Sequence, residues 1–121
     1  MNKKNDDLIL VYGSLRKGEY NYKHFESGLE FLDTLILTGY NLYSLGSYPG
    51  IKKTKDKTRT LEVDLFKVTD YNIGEGIDKM ELGANYYIEN ILTAFGVAKL
   101  YVYNGNINNS LLVKSGNWKT R

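Results

Sequence analysis

The chain has 121 residues, with no cysteine, one proline, 11 tyrosines and one histidine. The cysteine count excludes a disulfide framework, a thiolate zinc site and a cysteine nucleophile, and a lone histidine argues against a histidine-built metal centre. Sixteen basic against fourteen acidic residues leave a formal charge of +2, too near balance to point to nucleic acid.

The N-terminus, Met1-Asn2-Lys3-Lys4-Asn5-Asp6-Asp7, is polar, and no apolar secretory segment follows its lysines. The first apolar run, Leu8-Ile9-Leu10-Val11-Tyr12, ends at Gly13 and suits a buried central strand. Residues 22–29 fit a short helix with Asn21 as N-cap. Residues 30–45, rich in Leu, Ile, Thr and Tyr, read as one long strand or as two with a kink at Gly39. Tyr48-Pro49-Gly50 is a turn signal, since proline presets φ and glycine accepts a positive φ. The basic run from Lys52 to Arg59 lacks interleaved aromatics and reads as a solvated, mobile loop. Residues 60–68 alternate Leu61, Val63 and Leu65 against Glu62 and Asp64, the pattern of a strand.

Residues 70–80 fit a short helix weakened by Gly74 and Gly76. Residues 86–95 and 99–103 form a predicted hairpin around Gly96, and residues 111–113 add a last strand before Ser115-Gly116-Asn117-Trp118. Strands dominate, without long helices between them, which favours antiparallel pairing. The expected fold is α+β: a small, mixed, barrel-like sheet of five or six strands with one or two short helices, in a single domain over 1–121. No apolar run approaches the ~20 residues a membrane helix needs, so the expected location is the cytoplasm, with no membrane partner and no nucleic acid.

Three segments have the residue types for chemistry. In Tyr12-Gly13-Ser14-Leu15-Arg16 a buried strand runs into a glycine turn, where successive backbone N–H groups can form an anion-binding nest. An ordinary strand-ending turn has the same local sequence. Glu81, after the weak helix and near Gly83, reads either as a carboxylate facing a cavity or as a solvated glutamate. Tyr43 and Tyr48 lie beside glycines and can line a pocket or pack a core. His24 has no second histidine to form a metal pair, and it is the sole candidate base for Ser14 as a nucleophile. The Tyr12-Gly13-Ser14-Leu15 turn also lacks the G-x-S-x-G elbow of serine hydrolases.

Taken together these segments resemble the gamma-glutamylcyclotransferase-like (AIG2-like) superfamily, in particular its short bacterial and phage-type members. Val11-Tyr12-Gly13-Ser14-Leu15-Arg16-Lys17-Gly18 with Asn21 is similar to the signature loop. Leu42-Tyr43 with Tyr48-Pro49-Gly50 resembles the "Y…YPG" segment, and Leu61-Glu62-Val63-Asp64-Leu65-Phe66 the "GE-V-Y" strand. Ile77-Asp78-Lys79-Met80-Glu81 resembles "LD-x-x-E", and Tyr86-Tyr87, Tyr101-Val102-Tyr103 and Ser115-Gly116-Asn117-Trp118 resemble the closing pieces, in the same order. The chain departs from the pattern at three places. Leu82 stands where glycine follows the glutamate, the "Y-x-R" arginine is replaced by Ile88 or Glu89, and Leu61 replaces a glycine.

The resemblance implies cyclisation of a γ-glutamyl amine or amino acid to 5-oxoproline with release of the amine, an amide-cleaving lyase or transferase reaction. It implies Glu81 as acid/base, with Glu62 as a second candidate carboxylate. Tyr12, Gly13, Ser14, Leu15, Arg16, Asn21, Tyr43, Tyr48 and Tyr86 become the substrate-binding candidates. The expected partner is a small molecule with an anionic head, with no metal and no organic cofactor. The alternative is a non-catalytic cavity protein that sequesters a small anionic, nucleotide-like metabolite.

Overall fold

A computed structural model describes residues 7–108 and 111–121. The first apolar run forms β1 (Leu8–Val11), and all of it is buried. Leu8 and Leu10 point into one core, Ile9 and Val11 into another, as the twofold period of a strand requires. A strand covered on both faces has no solvent face to mark with polar residues, hence the unbroken run.

The helix expected over 22–29 is one turn, α1 (Tyr22–Phe25), followed by a 3-10 turn at Glu26–Gly28. Leu29 already belongs to β2 (Leu29–Thr38). Gly39, at φ +82°, then breaks the extended segment, and β3 (Tyr40–Ser44) enters a different sheet. The turn read at 48–50 lies slightly earlier, where the Leu45 N–H donates to Tyr48 O at 2.9 Å. Pro49 and Gly50 instead begin β4 (Pro49–Lys53), so Lys52 and Lys53 close a strand that the basic run disguised as loop. β5 (Thr60–Val68) follows as predicted.

The second helix, α2 (Tyr71–Gly83), continues past the expected end at Met80. Asp70 caps it, its carboxylate accepting from the N–H groups of Asn72 at 2.8 Å and Ile73 at 3.3 Å. β6 (Tyr86–Thr93) and β7 (Gly96–Tyr103) form the predicted hairpin, and β8 (Leu112–Val113) is short.

The curled, barrel-like sheet is the five-stranded one, in order β2-β5-β1-β7-β6, and a second sheet has the order β4-β3-β8. Pairing is antiparallel except between β1 and β7, which run parallel with Leu8 opposite Ala98 and Leu10 opposite Leu100. This departure from the antiparallel expectation puts β1 in the centre, between strands from distant parts of the chain. The small sheet packs β3 on β5 and β4 on β7. Leu10, Leu42, Ile51, Leu61, Val63, Leu100 and Trp118 belong to that core. On the other face α2 lies against β5 and β6, and its Ile77 joins Ile9, Val11, Phe66 and Tyr101 in the second core. Among the described residues no helix is long and apolar enough to cross a membrane.

Candidate active site

Where β1 ends, a cavity of about 200 Å³ opens. It falls below the ~300 Å³ at which pockets begin to hold drug-sized ligands, which makes it a small-metabolite volume. Its floor is buried: Leu10, Val11, Tyr12, Tyr86 and Tyr101. Its rim is open, with Tyr48 46% exposed, Met80 39% exposed, and Ala84 exposed beside them.

One wall is the turn at Gly13-Ser14-Leu15. Its shape is fixed by its own backbone. The Arg16 N–H donates to Gly13 O at 3.0 Å, and Ser14 O accepts from the N–H groups of Asn21 at 2.9 Å and Tyr22 at 3.1 Å. The N–H groups of Ser14 and Leu15 donate to no described residue. Free amide donors on a cavity wall are the elements of an anion nest. Asn21 occupies the N-cap position of α1, but its side chain caps nothing there. Its amide donates to Ser14 Oγ at 2.7 Å instead. Pro49 closes over the turn: a Cβ on Gly13 would stand 2.4 Å from Pro49 Cγ and 2.8 Å from Cδ. The Tyr86 hydroxyl donates to Pro49 O from the other side. Gly13 is thus the residue that allows the proline ring and the turn to touch.

The facing chemistry comes from α2. Ile73, Ile77 and Glu81 recur at four-residue spacing and share one helix face. Ile77 is fully buried, so the same face carries Glu81 onto the cavity wall, half-buried. Desolvation raises its carboxyl to about 7. No described group hydrogen-bonds it. The three floor tyrosines are held firmly protonated. Burial is the main cause for each, and the nearby Glu81 charge adds to it. Their hydroxyls are engaged, Tyr12 to Tyr101 O at 2.5 Å, Tyr86 to Pro49 O, and Tyr101 to the Asp78 carboxylate. Asp78 also accepts from Lys99 Nζ at 3.0 Å. One turn before Glu81, it ties α2 to β7 and sets where the glutamate stands.

Of the candidate residues, Tyr12, Gly13, Ser14, Leu15, Asn21, Tyr48, Glu81 and Tyr86 line this cavity. Arg16, Glu62 and Tyr43 do not. Arg16 turns away and is 2% exposed. Its Nη2 donates to Glu62 at 2.7 Å and Asp64 at 3.1 Å, and its Nη1 to Asn117 at 2.9 Å. Glu62 is therefore the partner of Arg16 rather than a cavity carboxylate. Tyr43 sits in the small sheet, between Gly50 and Leu112. His24 is exposed, its ring edge-on to Tyr20, while Ser14 Oγ is bonded to Asn21. Among the described residues no group of three or more His, Cys, Asp or Glu side chains is placed to hold a metal ion.

Sequence reasoning did not select Leu10, Val11, Pro49, Met80, Ala84 or Tyr101 for this cavity. Part of that signal was present. Ile77, Met80, Glu81 and Ala84 follow helical spacing, so the residues flanking Glu81 share its wall.

A curled mixed sheet, helices on one face, and a carboxylate in a small cavity at the end of its first strand together define a small-molecule protein of the AIG2-like fold. The family model for gamma-glutamyl cyclotransferase, AIG2-like, matches residues 9–120. A gamma-glutamylcyclotransferase family protein of Escherichia coli strain K12, YtfP, is 31% identical over 113 residues, which cover 93% of this chain and 96% of YtfP. The crystal structure of PH0828 from Pyrococcus horikoshii superposes with a TM-score of 0.79 at 31% identity, covering 94% of this chain and 91% of that one. The solution structure of E. coli YtfP gives 0.70 at 30% identity, over 92% and 95%. The chain belongs to the gamma-glutamyl cyclotransferase, AIG2-like family, whose enzymes act on small molecules.

Proposed function

We propose that this chain is a cyclotransferase that converts a γ-glutamyl amine or γ-glutamyl amino acid to 5-oxoproline and the free amine, with Glu81 as general acid/base. The observation that carries the reading is a half-buried carboxylate, raised to about 7, on the wall of the cavity that Ser14 and Leu15 also line.

The chemistry asks for these parts. An α-ammonium is no nucleophile, so its proton passes first to Glu81. The freed amine attacks the γ-carbonyl carbon, a C–N bond closes the five-membered ring, and the original amide C–N bond breaks. The proton held by Glu81 goes to the departing nitrogen, and Glu81 then takes the second proton from the ring nitrogen and passes it to the released amine, which leaves as an ammonium. A carboxyl that titrates near neutrality serves both transfers. The substrate's α-carboxylate rests on the Ser14 and Leu15 amides, fixed dipoles that need not reorganise. Holding amine and carbonyl in attack geometry contributes on the order of 7–11 kcal/mol at best.

The test is 5-oxoproline release from a panel of γ-glutamyl compounds by the protein and by Glu81→Gln. The expected loss in the variant is at least ~100-fold. Equal turnover by the variant removes Glu81 as the base, and no turnover of any compound by the unsubstituted protein removes the reaction.

A further inference from the structure

We propose that Arg16 is a positioning residue: without lining the cavity, its buried guanidinium sets where the Ser14 and Leu15 amides stand, and so tunes affinity for the substrate's α-carboxylate. This rests on the seating of that carboxylate in the reading above, not on the bond-making steps.

Local bonds give the turn its shape, and its two ends fix its place on the barrel. One end leaves β1 through Tyr12, whose hydroxyl donates to Tyr101 O. The other end is Arg16. Its N–H closes the turn on Gly13 O, while its side chain reaches β5 and the C-terminal segment. Glu62 and Asp64 stand two residues apart, on one face of β5, and Arg16 Nη2 donates to both. Asn117 takes Nη1. Asp64 also accepts from the Lys17 N–H at 3.0 Å, so it grips the side chain of one residue and the backbone of the next. Asp64 is itself steadied by the Thr34 hydroxyl on β2, at 2.9 Å. Arg16 Nε is buried and donates to no described residue. The side chain thus leaves one donor idle to reach both carboxylates, and its position is dictated by β5. The Ser14 and Leu15 amides lie between these two anchors and inherit their direction from them. A carboxylate held by fixed dipoles loses grip when the dipoles are displaced. Lysine keeps the charge of Arg16 but lacks the planar fork that spans two carboxylates and an amide.

Two ligands that differ only by the carboxylate test this: 5-oxoproline and 2-pyrrolidinone. Each is titrated into isotope-labelled protein, and Kd is read from amide chemical shifts in nuclear magnetic resonance spectra. The proteins are the parent, Arg16→Lys and Glu62→Gln, with folding checked by circular dichroism. Glu62→Gln keeps an acceptor at a half-buried position and removes its charge, so it carries the test if Arg16→Lys does not fold. In the parent, 5-oxoproline is expected to bind more tightly than 2-pyrrolidinone and to move the Ser14 and Leu15 amide signals. Arg16→Lys should weaken 5-oxoproline about fivefold and Glu62→Gln about threefold, with the Kd of 2-pyrrolidinone unchanged in both. Equal weakening of the two ligands means a general structural role and overturns the proposal, as does undiminished binding of 5-oxoproline by the folded variants. A parent that binds 5-oxoproline no better than 2-pyrrolidinone overturns the carboxylate seat, and this proposal with it. Cyclisation is decided separately, by 5-oxoproline release from the γ-glutamyl panel, because no step of the titration needs turnover.

Discussion

Glu81→Gln should make the protein more stable, and only above acid pH. In the fold the Glu81 carboxyl titrates at about 7, against 4.5 ordinarily, because burial strips water from its charge. Below pH 4.5 the group is neutral in both folded and unfolded chains and has no effect on their balance. Between 4.5 and about 7 the unfolded chain ionises while the folded chain keeps its proton, so stability falls as pH rises. Above about 7 the loss is complete and amounts to about 3 kcal/mol at most. Water reaching a half-buried group reduces this to roughly 1–2 kcal/mol. Glutamine is neutral throughout and escapes the penalty. The variant should therefore match the parent at pH 4 and exceed it by roughly 1–2 kcal/mol at pH 8, a Tm higher by about 3–10 °C. Urea titrations at pH 4, 5.5 and 8 measure this, with fluorescence of Trp118, the single tryptophan and fully buried, as the probe. The other carboxylates titrate identically in the two proteins and cancel. An equal stability difference at pH 4 and pH 8, or a variant weaker at pH 8, would refute the placement of Glu81 in a desolvated site.

The same titration predicts that kcat/KM rises with pH, about tenfold per unit below 7, and levels off above it; a flat profile from pH 5.5 to 8.5 contradicts an acid/base role for Glu81. Gly13→Ala drives a methyl to 2.4 Å from Pro49 Cγ, and the stiff ring has to move. Urea titration should show a loss of about 1–3 kcal/mol, and kinetics a raised KM as the amide wall shifts. Asp64→Ala strips from the buried Arg16 one of its two anions and leaves the Lys17 N–H and Thr34 hydroxyl without their acceptor. The expected cost is about 3–5 kcal/mol by denaturant titration.

Much of this architecture was legible because the local signals agreed with the tertiary roles. Leu8 to Val11 carry no polar residue because both faces are covered, and Gly39 marks the place where the chain changes sheets. β4 was hidden because it is an edge strand of the small sheet. There the exposed Lys53 pairs with Glu89 at 3.0 Å, so charge and strand coexist. The parallel register of β1 with β7 joins residues 90 positions apart, Leu8 to Ala98 among them, and no local pattern encodes it. The candidate site divides the same way. Glu81 and the Gly13-Ser14-Leu15 turn are short-range features that a motif can carry. Arg16 stands in the same motif, yet its direction was decided by Glu62, Asp64 and Asn117, contributed by β5 and the C-terminal segment. Asp78 likewise acquires its positioning role only through Tyr101 and Lys99 on a strand made later.

The central position of β1 has a kinetic consequence. β1 precedes both of its partners in the chain and is completed late, since β5 must reach one of its edges and β7 the other. Contacts of such long sequence separation slow folding, and until they form an apolar strand stands with open edges. The cavity inherits this order: its wall at Tyr12 is closed by the carbonyl of Tyr101, so a nascent chain that has not reached β7 has no partial site. A ligand of this cavity therefore engages the finished fold alone, and its presence draws the folding equilibrium toward the native state by mass action.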